Sequence, residues 1–316
     1  MNKKYALVTG AAGFIGSNLT EALLKENRNV IAVDCFLPDL YSSAIKEYRW
    51  RSLANIDGGK LERIEFDLRV DDFSILKKYD IEVIFNQAAM PGLISDWGRF
   101  KPYYDCNVSS LNRLLEYARS IDISSFVQAS TSSVYGKIAI GDENGELRPA
   151  SPYGVSKLAA ENLLLAYFDT YQMPAKILRY FSVFGPGQRP DMAISKLIQC
   201  LLDDVPFYIF GDGENRRSST YIDDVLRATM MAETDLPSGE IVNICGEEDF
   251  SLLETISILE QVAKRKLNVQ YLPKRPGDQR ETKGSSLRAL NLLGWKAEVK
   301  FIEGLERQYS AALELR

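Results

Sequence analysis

Residues 5–16 read Y-A-L-V-T-G-A-A-G-F-I-G. An apolar, strand-forming run, Tyr5–Thr9, leads directly into Gly10, Gly13 and Gly16, and an amphipathic stretch, Phe14–Glu26, follows. Glycines let a backbone turn tightly and approach a pyrophosphate, while the N-terminus of the following helix offers free N–H groups and the positive end of its dipole. A glycine triplet alone decides little. Set between a strand and a helix, it predicts a dinucleotide-binding unit.

The pattern outward from this stretch keeps the same alternation. Strand-like runs occur at Val30–Val33, Leu61–Phe66, Val83–Asn86, Phe126–Ala129 and Lys176–Tyr180, with helix-like stretches at Val108–Ile121 and Pro152–Tyr171. Such alternation predicts an α/β Rossmann fold, a doubly wound parallel sheet covered by helices on both faces. The regularity breaks after Phe184, at G-P-G-Q-R-P. Beyond it the spacing predicts a helix (Ala193–Asp203), a strand (Pro206–Phe210), a helix from Asp223, a strand (Ile241–Ile244), a helix from Ser251, a strand near Asn268–Leu272 and two terminal helices. The expected organisation is an NAD-binding domain over residues 1–184, rejoined by about 220–248, and a smaller mixed α/β lobe over 185–316. That lobe would lie over the carboxyl edge of the sheet, where open α/β folds bind ligands.

Composition narrows the function. The chain has 316 residues, 46% hydrophobic, with a net charge of −5 and no basic run, so a nucleic-acid partner is not expected. No segment approaches the length of a membrane span, and the N-terminus lacks the apolar core of a signal peptide. Cys35, Cys106, Cys200 and Cys245 are widely separated, as reduced thiols of a cytoplasmic protein would be. With no histidine in the chain, neither a catalytic zinc site nor a Ser-His-Asp triad is expected, and no metal is assigned.

Asp34 closes the second strand, where a carboxylate hydrogen-bonds the adenosine ribose and repels a 2′-phosphate, favouring NAD over NADP; the alternative is a solvated strand-end acid. Asp67 and Leu68, after the third strand, would lie near the adenine, and Gln87, Ala88 and Ala89 end the fourth strand with room for the cofactor. The fifth strand runs into four hydroxyls, Ser130, Thr131, Ser132 and Ser133. Ser130 suits a backbone-capping role and the other three suit substrate contact. Tyr153 and Lys157 follow, four apart and so on one face of a helix. A Tyr/Lys pair at this spacing is expected about once by chance among 16 tyrosines and 18 lysines, so the case rests on its neighbours. A phenol near pKa 10 is a weak base at neutral pH, but an adjacent ammonium stabilises the phenolate. Together they would remove a hydroxyl proton while NAD takes hydride from the same carbon.

G-A-A-G-F-I-G, Asp34, S-T-S-S-V-Y-G and Y-G-V-S-K resemble the extended short-chain dehydrogenase/reductase family, specifically its nucleotide-sugar epimerases and dehydratases. The similarity extends through G-D-G-E-N-R-R-S-S-T-Y-I-D-D and R-P-G-D-Q-R-E-T. It implies bound NAD, contacted also by Phe14, Ile15, Asn107 and Ser130, and a homodimer formed through the helices containing Val108–Ile121 and Pro152–Tyr171. It implies a UDP-sugar substrate, with Arg217 and Arg280 on the diphosphate and Asn243 fixing the nucleotide. The family's 4,6-dehydratases carry an Asp-Glu pair, and its decarboxylases a glutamate, where this chain has Ser132 and Ser133. That absence favours simple 4-epimerisation, and P-G-L-I-S-D-W and Y-F-S-V-F-G-P-G-Q-R-P-D-M-A are most similar to UDP-glucuronate 4-epimerases. Arg189 matches the arginine placed near the sugar carboxylate, the alternative being a loop bridge to Asp191, and Ser182 stands where many UDP-hexose epimerases have asparagine. The expected reaction interconverts UDP-glucuronate and UDP-galacturonate through a 4-keto sugar, with Tyr153 and Lys157 assisted by Ser132 or Thr131. The alternatives are a UDP-glucose or UDP-N-acetylglucosamine 4-epimerase, a UDP-glucuronate decarboxylase or 4,6-dehydratase, and a non-catalytic NAD-binding regulator.

Overall fold

The computed structural model describes residues 4–38, 41–92, 97–274 and 281–315. Along the chain the strands are β1 (Tyr5–Thr9), β2 (Asn29–Asp34), β3 (Leu61–Glu65), β4 (Ile81–Asn86), β5 (Ser125–Thr131), β6 (Ile138–Gly141), β7 (Ala175–Tyr180), β8 (Ser182–Phe184), β9 (Phe207–Phe210), β10 (Arg216–Tyr221), β11 (Ile241–Ile244), β12 (Asp249–Ser251), β13 (Val269–Leu272) and β14 (Glu281–Gly284). The helices are α1 (Phe14–Lys25), α2 (Ser43–Ser52), α3 (Phe100–Tyr104), α4 (Ser110–Arg119), α5 (Pro152–Tyr171), α6 (Ala193–Asp203), α7 (Ile222–Thr234), α8 (Leu252–Ala263), α9 (Leu287–Leu293) and α10 (Phe301–Glu314).

A seven-stranded parallel sheet runs β11-β7-β5-β4-β1-β2-β3. Strand order reverses between β1 and β4, which opens a crevice at their carboxyl ends. Alternation along each strand divides the core into two layers. Ala6, Val8, Val30, Ala32, Val83 and Phe85 pack with Leu19, Leu23 and Val225 of α1 and α7, while Leu7, Ile31, Ile84 and Phe126 pack with Leu111, Leu114 and Leu164 of α4 and α5. These side chains are almost wholly buried, and each of the valines, leucines, isoleucines and phenylalanines contributes about 1.5–3 kcal/mol to the sheet–helix contact.

The chain leaves the large sheet and returns to it. β11 adds beside β7, although 60 residues separate them in the chain, α7 among them. A second sheet runs β12-β10-β14-β6, with β8 also paired to β10. Its strand β6 comes from within residues 1–184 and crosses to β14. Chain order and lobe membership therefore differ at residues 138–141. The strands β9 and β13 form a parallel pair.

Candidate active site

The glycine turn is built by close backbone approach. A Cβ on Gly16 would lie 2.2 Å from the Gly10 carbonyl oxygen, and one on Gly10 would lie 2.8 Å from the Ala88 nitrogen. Ala88 N–H donates to Thr9 Oγ1 at 3.1 Å, so the end of β4 is fastened to the end of β1 across the crevice. No side chain caps α1 and no acid stands in its first turn, which leaves its N-terminus suited to a phosphate. Asp34 Oδ2 accepts from Ala12 N–H at 3.0 Å and Oδ1 from Phe36 N–H at 2.8 Å, with Lys46 Nζ 3.9 Å away. Loop, helix end and acid thus converge at one edge, and this donor set fits NAD. Phe14 is buried at the helix start and Ile15 packs against the core.

The remaining expected cofactor residues divide. Leu68 is buried, and the Asp67 carboxylate is taken by Arg69 through Nε and Nη2 at 2.9 and 2.7 Å, which holds its pKa below the ordinary range. Gln87 Nε2 donates to the Tyr180 phenol at 3.3 Å. Ala89 lies in the loop after β4, half-buried. Asn107 sits on a π-turn, Asp105–Ser109, between α3 and α4. This wider turn aims its amide at the loop after β4: Oδ1 accepts from Met90 N–H at 2.7 Å and Nδ2 donates to the Met90 carbonyl at 3.0 Å and to Ser156 Oγ at 2.9 Å. Ser156 Oγ in turn donates to the Tyr153 carbonyl at 2.8 Å. Asn107 therefore braces the helix that carries Tyr153, through Ser156, a residue sequence reasoning did not single out.

α5 begins as its sequence dictates. Ser151 Oγ accepts from Gly154 N–H at 3.1 Å, and Pro152 occupies the first turn. A Cβ on Gly154 would come 2.6 Å from the Ser133 carbonyl oxygen, so glycine is what lets this helix end press against the hydroxyl turn. Ser130 and Thr131 are the last residues of β5, and Ser132 and Ser133 open the 3-10 turn Ser132–Tyr135. Thr131 Oγ1 accepts from Ser133 N–H at 3.2 Å and donates to Ser133 Oγ at 3.3 Å. Ser130 takes the structural alternative: its hydroxyl hydrogen-bonds the buried Glu161.

Burial holds the Tyr153 pKa above the ordinary phenol value, and the Thr131 hydroxyl and the Arg189 guanidinium offset only part of that rise. Lys157, 2% exposed, donates from Nζ to the Ala129 carbonyl at 2.6 Å. Burial lowers its pKa to about 8, and Glu161, one turn further along α5, opposes that shift. Arg189, which the sequence placed at the sugar carboxylate, also lies within charge range of the phenol. Beneath them Glu161 is paired to Arg179 through Nε and Nη2 at 3.0 and 2.8 Å, both residues almost wholly buried. Arg179 also donates to Tyr135 Oη at 2.8 Å.

Arg189 pairs with Asp191 through Nε and Nη2 at 3.0 and 2.6 Å, the bridge the sequence left open, while remaining within charge range of Tyr153. Ser182 lies on β8, half-buried opposite Ser219. Arg217, on β10, donates from Nη1 to the Arg216 carbonyl at 2.8 Å. Asn243 departs from its expected role. It is 0% exposed, its Oδ1 accepts from Tyr135 Oη at 2.8 Å and its Nδ2 donates to the Ser285 carbonyl at 3.4 Å, so its amide serves the packing of β11 against the smaller lobe. Arg280 lies outside the described residues. Among the described residues no cluster suited to a metal ion occurs, and no helix is long and apolar enough to cross a membrane.

A glycine turn between β1 and α1, an acid closing β2 and a Tyr-x-x-x-Lys pair on α5 define a Rossmann-type enzyme of the short-chain dehydrogenase/reductase kind. The chain belongs to the NAD dependent epimerase/dehydratase family, whose model matches residues 6–245. It is 41% identical over 308 residues to an uncharacterized UDP-glucose epimerase, YtcB, of Bacillus subtilis, covering 96% of each chain. It is 35% identical over 306 residues to a UDP-glucuronate 4-epimerase of Thermodesulfobacterium geofontis, covering 96% of this chain and 94% of that one. The structure superposes with a TM-score of 0.93, at 39% identity, on the UDP-glucuronic acid 4-epimerase of Bacillus cereus in complex with UDP-glucuronic acid and NAD, covering 99% of this chain and 100% of that one.

Proposed function

We propose that this chain is an NAD-dependent UDP-sugar 4-epimerase whose substrate pair is UDP-glucuronate and UDP-galacturonate. The observation that carries the choice of sugar is Arg189, a guanidinium within charge range of the Tyr153 phenol. A planar, bidentate donor there suits a carboxylate on the carbon next to the reacting one. Its pair with Asp191 takes Nε and Nη2, so the Nη1 edge is the one offered to the sugar.

Tyr153 accepts the C4 hydroxyl proton, and Thr131, hydrogen-bonded to the phenol, holds the two oxygens in line. Gly10–Gly16, Asp34 and Lys157 would hold NAD, which when bound would supply the acceptor and then the donor of the C4 hydride. The 4-keto sugar turns about its linkage to the diphosphate, presents its opposite face, and recovers the proton from Tyr153. A 4-keto uronate is a β-keto acid and loses CO2 when its carboxylate stands perpendicular to the carbonyl plane. Ser132, Ser182 and Arg189 hold it in the unproductive plane. Ser132 and Ser133 stand where the resemblance places the acids of dehydratases and decarboxylases, so neither of these positions offers an acid to drive elimination.

Residues 1–184 with about 220–248 would hold the cofactor and the rest of 185–316 the sugar nucleotide, with Arg217 and Arg280 assigned to its diphosphate. The outer side of α5, where Ala159, Asn162 and Ala166 are exposed without charge, suits the face of a homodimer. Four free thiols fit a reducing, cytoplasmic setting. A second reading, UDP-glucose as substrate, is favoured by the name of the Bacillus subtilis relative. Incubation with UDP-glucuronate, UDP-glucose and UDP-N-acetylglucosamine, with products resolved by NMR, tests the choice. Turnover of the neutral sugars alone, or CO2 released stoichiometrically from UDP-glucuronate, overturns it.

A further inference from the structure

Charge accounting around Arg189 leaves one anion unmatched. Asp191 already neutralises Arg189 in a close two-point pair. A sugar carboxylate entering beside them would give a half-buried cluster with a net negative charge, which is costly away from water. A second cation is close by. Arg49, on α2, has a buried Nη1 with no hydrogen-bond partner, while its Nη2 donates to the Gly187 carbonyl, two residues before Arg189. Its guanidinium lies 5.9 Å from the Tyr41 ring centroid. Burial depresses its pKa most, the Tyr41 phenol beside it opposes that through charge and a hydrogen bond, and the charge of Arg189 adds to the depression. A guanidinium nitrogen without an acceptor, within charge range of a second guanidinium, is an arrangement that an anion reaching both relieves. The other side of Arg49 lines a mainly apolar cleft of about 590 Å³ against α6 and α10, and no acidic side chain among the described residues lines it.

We propose that Arg49 is the second cationic group of the sugar-carboxylate site, a specificity-determining residue that lets Arg189 keep Asp191 while binding a uronate. With it the set of Arg49, Arg189, Asp191 and the sugar carboxylate is neutral; without it the site suits a neutral hexose better. This inference rests on the uronate reading above.

The test uses NAD-loaded protein carrying Tyr153→Phe, which stops turnover, and measures Kd for UDP-glucuronate and UDP-glucose by calorimetry with and without Arg49→Gln or Arg49→Lys. Arg49→Gln is expected to weaken UDP-glucuronate by about tenfold or more, the worth of one hydrogen bond to a charged group, and to leave UDP-glucose within about twofold. Arg49→Lys should restore most of the difference. Equal weakening of both ligands would reduce Arg49 to a brace for the 187–191 loop, and loss of bound NAD would assign it to the cofactor; either overturns the inference, as does no change. Failure of UDP-glucuronate to bind the parent protein overturns the substrate reading itself, and is seen before any Arg49 variant is made.

Discussion

Lys157→Met is expected to abolish catalysis and to change how stability depends on pH. Lys157 is 2% exposed and burial brings its pKa from 10.5 to about 8. At about 1.4 kcal/mol per pH unit, keeping this ammonium inside the fold costs roughly 3 kcal/mol at neutral pH. Between about pH 8 and 10.5 the folded chain has released the proton that the unfolded chain still binds, so stability contributed through Lys157 rises with pH across that window. The methionine variant has no such group. It loses the bond to the Ala129 carbonyl, about 1–3 kcal/mol, but that loss is the same at every pH. Urea denaturation of both NAD-free proteins at about pH 7 and about pH 9.5 should therefore show the wild type gaining about 2 kcal/mol on the variant. A stability difference that does not move with pH would refute the claim that Lys157 is held as a strained buried ammonium.

Tyr153→Phe should lower kcat by about 10²–10⁴-fold with UDP-glucuronate binding retained, measured by steady-state rates and calorimetry. Gly16→Ala puts a methyl 2.2 Å from the Gly10 carbonyl oxygen, where backbone must move; the purified variant should carry little or no NAD, assayed by extraction and absorbance. Glu161→Gln removes the carboxylate that raises the Lys157 pKa, so the alkaline fall of kcat should shift to lower pH. The same change leaves Arg179 buried without its anion, at a stability loss of about 3–5 kcal/mol by denaturant titration. Arg179→Met in the Glu161→Gln background should recover part of that stability without moving the pH limb back.

What could be read in advance follows from how each feature is encoded. β1, the glycine turn and α1 are consecutive, and their periodicities switch within a few residues, so Y-A-L-V-T-G-A-A-G-F-I-G announces its own structure. The strands of the second sheet do not. β10 reads R-R-S-S-T-Y, β12 D-F-S and β14 E-T-K-G, short polar runs: β10 pairs with β8, β12 and β14, and β14 pairs with the distant β6. Nothing local marks them as strands. Asn243 failed as a nucleotide contact for a related reason. It lies within a buried strand, and only the fold brings Tyr135 and Ser285 to its amide.

The catalytic helix carries both kinds of information. Its start is local: Ser151 caps, Pro152 opens the turn, and Tyr153 and Lys157 share a face. What turns that pair from a coincidence of spacing into a site is remote. Gly154 presses on Ser133, Ser156 is gripped by Asn107 on a π-turn, Glu161 answers Arg179, and Arg189 reaches the phenol from beyond the end of β8. Ser133, Asn107 and Arg179 each contact a different residue of this helix, so a shift of α5 by one position would break all three contacts together. On the proposed mechanism the phenol stands in for a histidine, and its surroundings act on it in opposite senses: burial raises its proton affinity, and Thr131 and Arg189 offset part of the rise. A double-mutant cycle between Asn107→Ala and Ser156→Ala should show strong coupling in kcat, because one chain of hydrogen bonds runs from Met90 through both residues to the Tyr153 carbonyl. Additive losses would mean that the π-turn and the helix act on the tyrosine independently.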